Sequence, residues 1–249
     1  MEKQMDAIEV LADLLGFNNG VNTDEHTENE TKVKKLYVTG DMVNTYVEVS
    51  GDANPIHTHV EAAQKAGFAK PIAHGTLLSG LVFSALVELY GHNLSIMEFD
   101  VAFKRPVYID TNIEIHLTSE VTEGQSKKIK FEIKTEKNNR LKQAVEGFLV
   151  CNVSSAECDV ENLEKSLLIA WLAKATAENF TGIAVTNLGI EFQGQQVSRE
   201  MPELELNHGE INPKYGNRKT LYKGLSKQQD EEVYHGYYIV ASKEWVNRS

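Results

Sequence analysis

Apolar and polar residues alternate with period two through NIEIHLTSEV (112–121) and KKIKFEIKT (127–135). That spacing predicts strands with one buried face. LSIMEFDVAFKRPV (94–107) and KQAVEGFLVCNV (142–153) read as further strands, with turn signals at EGQS and KNNR. The pattern changes just upstream. From Gly75 the chain reads GTLLSGLVFSALVELYG, apolar on nearly every side. A helix of this kind is enclosed by protein, and at about 15 residues it is too short to cross a bilayer. One buried helix followed by long antiparallel strands predicts an α+β unit whose sheet wraps the helix.

Other elements extend the plan. Met5, Ile8, Leu11, Ala12 and Leu15 fall on one face of a predicted helix over 5–15, stopped by Gly16. The polar stretch NNGVNTDEHTENETK reads as a linker, and the compact unit begins near Lys35. LYVTG predicts a short strand. Asp41 is placed as the cap of a helix carrying Val43, Tyr46, Val47 and Ser50 and ended by Gly51. Thr58 and Glu61 are spaced as a capping box for a short helix, Val60 to Ala66, stopped by Gly67.

The second half repeats this order with few identities. A predicted helix over 161–179 precedes IAVTNLGIEF, PELELNHGEI, RKTLYKGLS and EEVYHGYYIVAS. NIEIHLTSEV is matched by PELELNHGEI, and MEFDVAF by TNLGIEF. This predicts three parts: an N-terminal helix and linker (1–35), a first unit (36–154) and a degenerate second unit (155–249), the alternative for the last being an unrelated α+β extension.

Composition narrows the function classes. The 249 residues carry a net charge of −11, which disfavours nucleic acid as a partner. Two cysteines, Cys151 and Cys158, are too few for a disulfide framework, and their spacing matches no familiar zinc pattern, so they read as reduced thiols of a cytoplasmic protein. The N-terminus has acids within its apolar stretch and does not read as a secretory signal. No apolar run approaches a membrane span.

Chemistry concentrates in DANPIHTHVEAAQKAGFAKPIAHG, residues 52–75. Asp52 and His57 flank Asn54-Pro55. Proline pushes Asn54 into extended conformation and stiffens the bend. An acid and an imidazole on a rigid loop between two helices are placed for acid–base work. PIAHG lies directly before the apolar helix, whose N-terminus presents unpaired N–H groups. Gly75, lacking a side chain, would let another molecule approach that backbone and stabilise an oxyanion there. His74 reads as a packed histidine orienting the loop.

Asp52-Ala-Asn-Pro-Ile-His57, Gly67-Phe68, Pro71-Ile-Ala-His-Gly75 and the apolar helix, in that order, resemble the hydratase motif of the MaoC-like family, which includes the R-specific enoyl-CoA hydratases. Phe103-Lys-Arg-Pro-Val107 resembles that family's strand after the helix. The resemblance covers about residues 36–153. His59 departs from it, standing where members often carry an acid, and neither Ser79 nor Ser84 aligns with a pocket serine found in some members.

The resemblance implies a hot-dog fold and hydration of a 2-enoyl thioester to an (R)-3-hydroxyacyl thioester, or the reverse. Asp52 and His57 would be catalytic and Gly75 would face the thioester oxygen, with Asn54, Pro55 and His74 supporting the loop. It implies no metal and no cofactor beyond coenzyme A or acyl-carrier protein as the substrate's carrier, for which Lys104, Arg105, Lys127 and Lys128 are candidate contacts. Hot-dog units pair, implying a homodimer or, with the second half as partner, an internal pseudo-dimer. The competing readings are a non-catalytic acyl-thioester binder or sensor subunit and a thioesterase on the same fold.

Overall fold

A computed structural model describes residues 6–17, 30–120, 126–137, 140–179, 184–193, 202–211, 218–225 and 232–241. The first helix, α1 (Ala7–Leu15), starts at Asp6, whose carboxylate accepts from the Ile8 N–H, and stops at Gly16, in left-handed conformation with φ 77°. It buries Ile8, Leu11, Ala12 and Leu15, four of the five positions expected from the periodicity; Met5 lies outside the described residues.

Strand β1 (Thr31–Val38) begins earlier than the LYVTG segment because all eight residues pair with β3 (Thr111–Glu120), from Thr31 opposite Thr118 to Val38 opposite Thr111. Helix α2 (Gly40–Ser50) is capped by Thr39, whose Oγ1 accepts from the Met42 N–H at 3.0 Å, and not by Asp41, which lies inside its first turn. After a 3₁₀ turn (Pro55–His57), α3 (Val60–Lys65) starts at His59 with no side-chain cap. The expected capping box is absent there: Thr58 Oγ1 is hydrogen-bonded to His59 Nδ1 at 2.7 Å.

Helix α4 (Gly75–Tyr90) is enclosed as its composition requires, with twelve side-chain positions buried, from Leu77 to Tyr90. It lies on the sheet through Phe83, whose ring meets Phe99 edge-on at 5.0 Å, and Phe99 in turn stacks on Phe131 at 5.4 Å. Those rings belong to β2 (Leu94–Phe103) and β4 (Ser126–Lys137). With β5 (Arg140–Val153) they complete the first half of the sheet. The second half has α5 (Asp159–Asn179), β6 (Ala184–Phe192), β7 (Glu203–Ile211), β8 (Arg218–Leu225) and β9 (Glu232–Ala241).

The nine strands among the described residues form one sheet, in the order β1-β3-β4-β5-β2-β6-β9-β8-β7, and every adjacent pair is antiparallel. The alternation predicted for β3 puts Ile113, Ile115 and Leu117 inward. Helix α1 packs against α2, α4 and α5. Leu15 fills a notch at Gly80 of α4, where an added Cβ would stand 2.9 Å from Leu15 Cδ1.

The seam between the halves runs along β2. Its residues Glu98–Ala102 pair with β6. Upstream of that, α5 supplies the partners. Asn162 donates from Nδ2 to the Leu94 carbonyl at 2.7 Å and accepts from the Ile96 N–H at 3.1 Å. Lys165 Nζ donates to the Ile96 carbonyl at 2.6 Å and is ion-paired with Glu161. Burial pulls the Lys165 ammonium below its ordinary range and Glu161 opposes the shift. Asn162→Ala leaves a buried carbonyl and a buried amide unpaired, each at a cost of about 1–3 kcal/mol. Urea denaturation is expected to show a loss of roughly 2–4 kcal/mol; a loss below about 1 kcal/mol would show that water replaces the amide.

Candidate functional site

Three segments build the site. Gly51 ends α2 in left-handed conformation, φ 71°, and turns the chain into Asp52. The Asp52 N–H donates to Ser50 Oγ at 3.1 Å, and Ser50 Oγ donates to the Tyr46 carbonyl at 2.6 Å, fixing the turn. Asp52 Oδ1 accepts from the Asn54 N–H at 3.1 Å, and Asn54 Oδ1 accepts from the Ile56 N–H at 3.3 Å. The Asn-Pro bend is therefore held by local side-chain bonds of the Asx type, and it presents His57 at the end of the 3₁₀ turn.

The third segment is 71–75. Ile72 donates its N–H to the Ile56 carbonyl at 3.3 Å, and its carbonyl lies 2.8 Å from His57 Nδ1. A carbonyl only accepts, so Nδ1 carries the hydrogen and Nε2 keeps its lone pair in the neutral ring. His74 donates likewise from Nε2 to the Asp52 carbonyl at 3.2 Å, which leaves Nδ1 as its acceptor atom. The two imidazoles are stacked, centroids 3.7 Å apart and planes 25° from parallel. Asp52 and His57 are each 8 % exposed and His74 1 %.

Burial sets the charges. It raises the Asp52 carboxyl to about 6, the Asn54 N–H opposing the shift. It lowers His57 to about 4, partly offset by the Ile72 carbonyl. His74 falls well below its ordinary value through burial and then through the neighbouring His57. At neutral pH the cluster is one carboxylate beside two neutral imidazoles. One ring nitrogen of each histidine and a carboxylate oxygen of Asp52 all lie within 4.8 Å of one another. One water making two hydrogen bonds of about 2.8 Å each spans such a gap. A metal ion fits less well. Stacked rings project their in-plane lone pairs side by side, whereas a tetrahedral ion needs them to converge.

Gly75 opens α4 directly behind His74, and no side chain caps that end. Its N–H is among the first-turn donors that lack an acceptor within the helix. The expected reason for glycine needs correction. The space its Cβ would occupy is filled by the Phe103 ring, with Cζ at 2.8 Å and Cε1 at 2.9 Å. Glycine here admits an aromatic wall at its Cα, and approach to the amide is left to the end of the helix.

Asp52, His57, Asn54, Pro55, His74 and Gly75 thus come together as one cluster. Ser79 does not join it, since its Oγ donates back to the Gly75 carbonyl at 3.0 Å, and Ser84 accepts from Lys34 at 3.1 Å. His59 is exposed and bonded to Thr58. The sequence reading missed two residues. Phe103 belongs to a different strand, and only its FKRPV context pointed to it. Tyr46 was counted among the apolar positions of α2, yet its ring lies 5.1 Å from that of His74; a hydroxyl-bearing ring on an apolar face was the available signal.

Comparison with known proteins matches part of this chain to a family. Residues 21–144 match the family model described as a MaoC like domain. The mitochondrial 3-hydroxyacyl-[acyl-carrier-protein] dehydratase of Arabidopsis thaliana is 31 % identical over 108 residues, 42 % of this chain and 64 % of that protein. The 3-hydroxybutyryl-CoA dehydratase of Methylorubrum extorquens is 31 % identical over 86 residues, 34 % of this chain and 55 % of that protein. The chain spans less than two thirds of the length of either curated relative. A solved structure named MaoC-like dehydratase shares the fold across both halves, with a TM-score of 0.63 at 11 % identity, over 86 % of this chain and 98 % of that one. Residues 21–144 are accordingly a MaoC-like domain, and the chain that carries them has the hot-dog fold of the MaoC-like dehydratase family.

Proposed function

We propose that this protein adds water to a trans-2-enoyl thioester, giving an (R)-3-hydroxyacyl thioester, and catalyses the reverse dehydration. The observation that carries this reading is the one-water span between Asp52 and His57, beside His74, the residue from which α4 starts. Water accepts its place from two partners: one O–H donates to His57 Nε2, the other to the Asp52 carboxylate. As the water oxygen bonds to C3 of the substrate, its proton passes to Asp52. Charge moves to the thioester oxygen, where the Gly75 N–H donates to it, a contribution of about 3 kcal/mol for one such donor. Asp52 then returns the proton to C2. Its raised pKa of about 6 suits a group that must both take and give a proton near neutrality. The cycle balances with no cofactor and leaves His57 neutral.

The names of the two curated relatives point to both carriers, acyl-carrier protein and coenzyme A. Both attach the acyl group through phosphopantetheine, so an anion must approach an acidic chain. Arg105 is our candidate contact. Segment 71–73 runs antiparallel to 107–109, through Ala73 N–H to the Val107 carbonyl (2.7 Å), an Ile72–Tyr108 bridge and Ile109 N–H to the Pro71 carbonyl (3.1 Å). Arg105 stands two residues before Val107, whose carbonyl pairs with Ala73 just ahead of α4. Arg105 is exposed, anchored through NH1 to the Gln143 carbonyl at 2.6 Å, and makes no ion pair among the described residues, whereas Lys104 is paired with Glu146.

We also read α5 and β6–β9 as a degenerate second hot-dog unit, so that one chain forms its own pseudo-dimer (36–154 with 155–249). The shared sheet and the match of one solved structure over both halves support this. No helix among the described residues is long and apolar enough to cross a membrane. Two buried free thiols fit a reducing compartment, for which we take the cytoplasm.

The test is a panel of 2-enoyl-CoA esters of graded length, followed at the enone absorbance, with thiol release monitored in parallel. The absorbance is expected to fall without thiol release. Arg105→Glu is expected to raise KM for the CoA ester about tenfold, the equivalent of 1.4 kcal/mol, and to leave the uncharged pantetheine ester unaffected. Flat traces at every length, with folded protein, would leave a thioester binder; thiol release would make it a thioesterase.

A further inference from the structure

Tyr46 stands on α2 with its side chain 1 % exposed. Its hydroxyl is buried and makes no hydrogen bond of ordinary geometry, and the same holds for His74 Nδ1. The two rings are neighbours, 5.1 Å apart and tilted by 54°. The atoms are complementary. His74 donates from Nε2 to the Asp52 carbonyl, so Nδ1 of the neutral ring is an acceptor, while a phenol is a donor. The surroundings belong to the site. Burial raises the Tyr46 phenol, a hydrogen bond from the Thr76 side chain in the first turn of α4 to the phenol oxygen works against the rise, and the Asp52 charge adds to it.

Thr76 serves the phenol oxygen only as an acceptor, so a buried O–H and a buried imidazole nitrogen, on neighbouring rings, still lack a partner and require an explanation. A purely structural one would treat the hydroxyl as a packing defect. Removing it would then stabilise the fold and change nothing else, because deleting a buried unpaired polar group relieves its desolvation cost. The position argues for a ligand. Water is the smallest species that accepts from a phenol and donates to an imidazole nitrogen, and it has a second hydrogen left for the neighbouring carboxylate.

We propose that Tyr46 is a positioning residue of the Asp52–His57 site, its O–H and His74 Nδ1 together binding one structural water that donates to Asp52. This water is distinct from the one added to substrate. It orients the carboxylate together with the Asn54 N–H, which already donates to Asp52 Oδ1 at 3.1 Å. His74 acquires a second task beside its bond to the Asp52 carbonyl, and Tyr46 acquires one that phenylalanine could not perform. The proposal rests on the hydratase reading for its kinetic consequence, but the water itself does not depend on that reading.

The test uses the full-length chain and Tyr46→Phe. Melting temperature is expected to fall modestly, since the variant loses the bond to the water and leaves His74 Nδ1 without its partner. With crotonyl-CoA, kcat is expected to fall about tenfold, the worth of one hydrogen bond, with KM within about twofold of wild type. Crystals of the wild type should show one ordered water within hydrogen-bond distance of Tyr46 Oη and His74 Nδ1, absent from the variant. A higher melting temperature with unchanged kcat would overturn the proposal and leave the packing defect. A loss of stability with unchanged kcat and no ordered water at that position would overturn it too, by showing that the hydroxyl has only a protein partner. Should the wild type turn over no enoyl ester, the hydratase reading fails, and presence or absence of the water alone decides this one.

Discussion

Asp52→Asn is expected to lower kcat by about 10³-fold while making the protein more stable at neutral pH. The kinetic loss follows from removing the group that takes and returns the proton, for which general acid–base catalysis is worth about 10²–10⁴-fold. The gain in stability follows from burial. In the fold the Asp52 carboxyl is raised from 3.8 to about 6, so the folded chain holds this proton more tightly than the unfolded chain. Its contribution is most favourable below pH 3.8, declines as pH rises to about 6 and is flat above that. The asparagine variant escapes this cost. It should exceed wild type by roughly 2–3 kcal/mol at pH 7–8, the difference vanishing at pH 4 and below. His57 acts in the opposite direction: lowered to about 4, it withdraws stability as pH falls from 6.5 toward that value. In the wild type, kcat/KM should rise with pH along an acid limb near 6, with no second limb from His57, which stays neutral. Denaturant titrations at several pH values, beside enone kinetics, check both halves. A variant with wild-type turnover would remove Asp52 from the mechanism.

Gly75→Ala is expected to be the most damaging single methyl in the site. The new Cβ would fall 2.8 Å from Phe103 Cζ and 2.9 Å from Cε1, too close to persist. Phe103 ends β2, and the next two residues, Lys104 and Arg105, both donate their N–H groups to the Ala144 carbonyl, at 2.8 and 3.0 Å. The ring is therefore tethered, and part of the strain passes to the first turn of α4. Losing the position of one oxyanion donor costs about 10²–10³-fold in kcat, and overpacking costs about 1–3 kcal/mol of stability. The second variant Phe103→Ala, made in the Gly75→Ala background, relieves the clash. Melting temperature should recover, and part of kcat with it. Strictly additive losses in that double-mutant cycle would show that the ring is not the cause.

Much of this site was legible because its residues are close in sequence and proline restricts them. Asp52, Asn54, Pro55 and His57 occupy one bend whose conformation the Asn-Pro pair decides, and PIAHG abuts a helix whose composition announces burial. The apolar periodicities gave the central helix and the strands for the same reason, since burial of a face is written into every second or every third and fourth residue. The caps were misread where adjacent polar residues competed. Thr39 and Asp41 can each accept a helix N–H, and the backbone entering from β1 selected Thr39. Thr58 met the capping-box pattern but bonded to His59 instead. The start of β1 was set by its partner β3, more than seventy residues away, which no local pattern encodes. Distance also hid Phe103 from Gly75, and His57 from its stack on His74. Tyr46 was concealed differently, because apolar periodicity counts its ring and ignores its oxygen.

The joint between the two halves is closed by peptide groups at one end and by an amide and an ammonium at the other. Oily surfaces can slide past one another with small penalties, whereas Asn162 offers a donor and an acceptor that match two particular peptide groups and no others. That corner acts as a locating pin: it dictates how far along β2 the second half must dock before the rest of the interior can close. Filling the same volume with leucine and methionine would preserve bulk and forfeit alignment, so a chain altered in that way should collapse readily and hesitate over which registry to adopt.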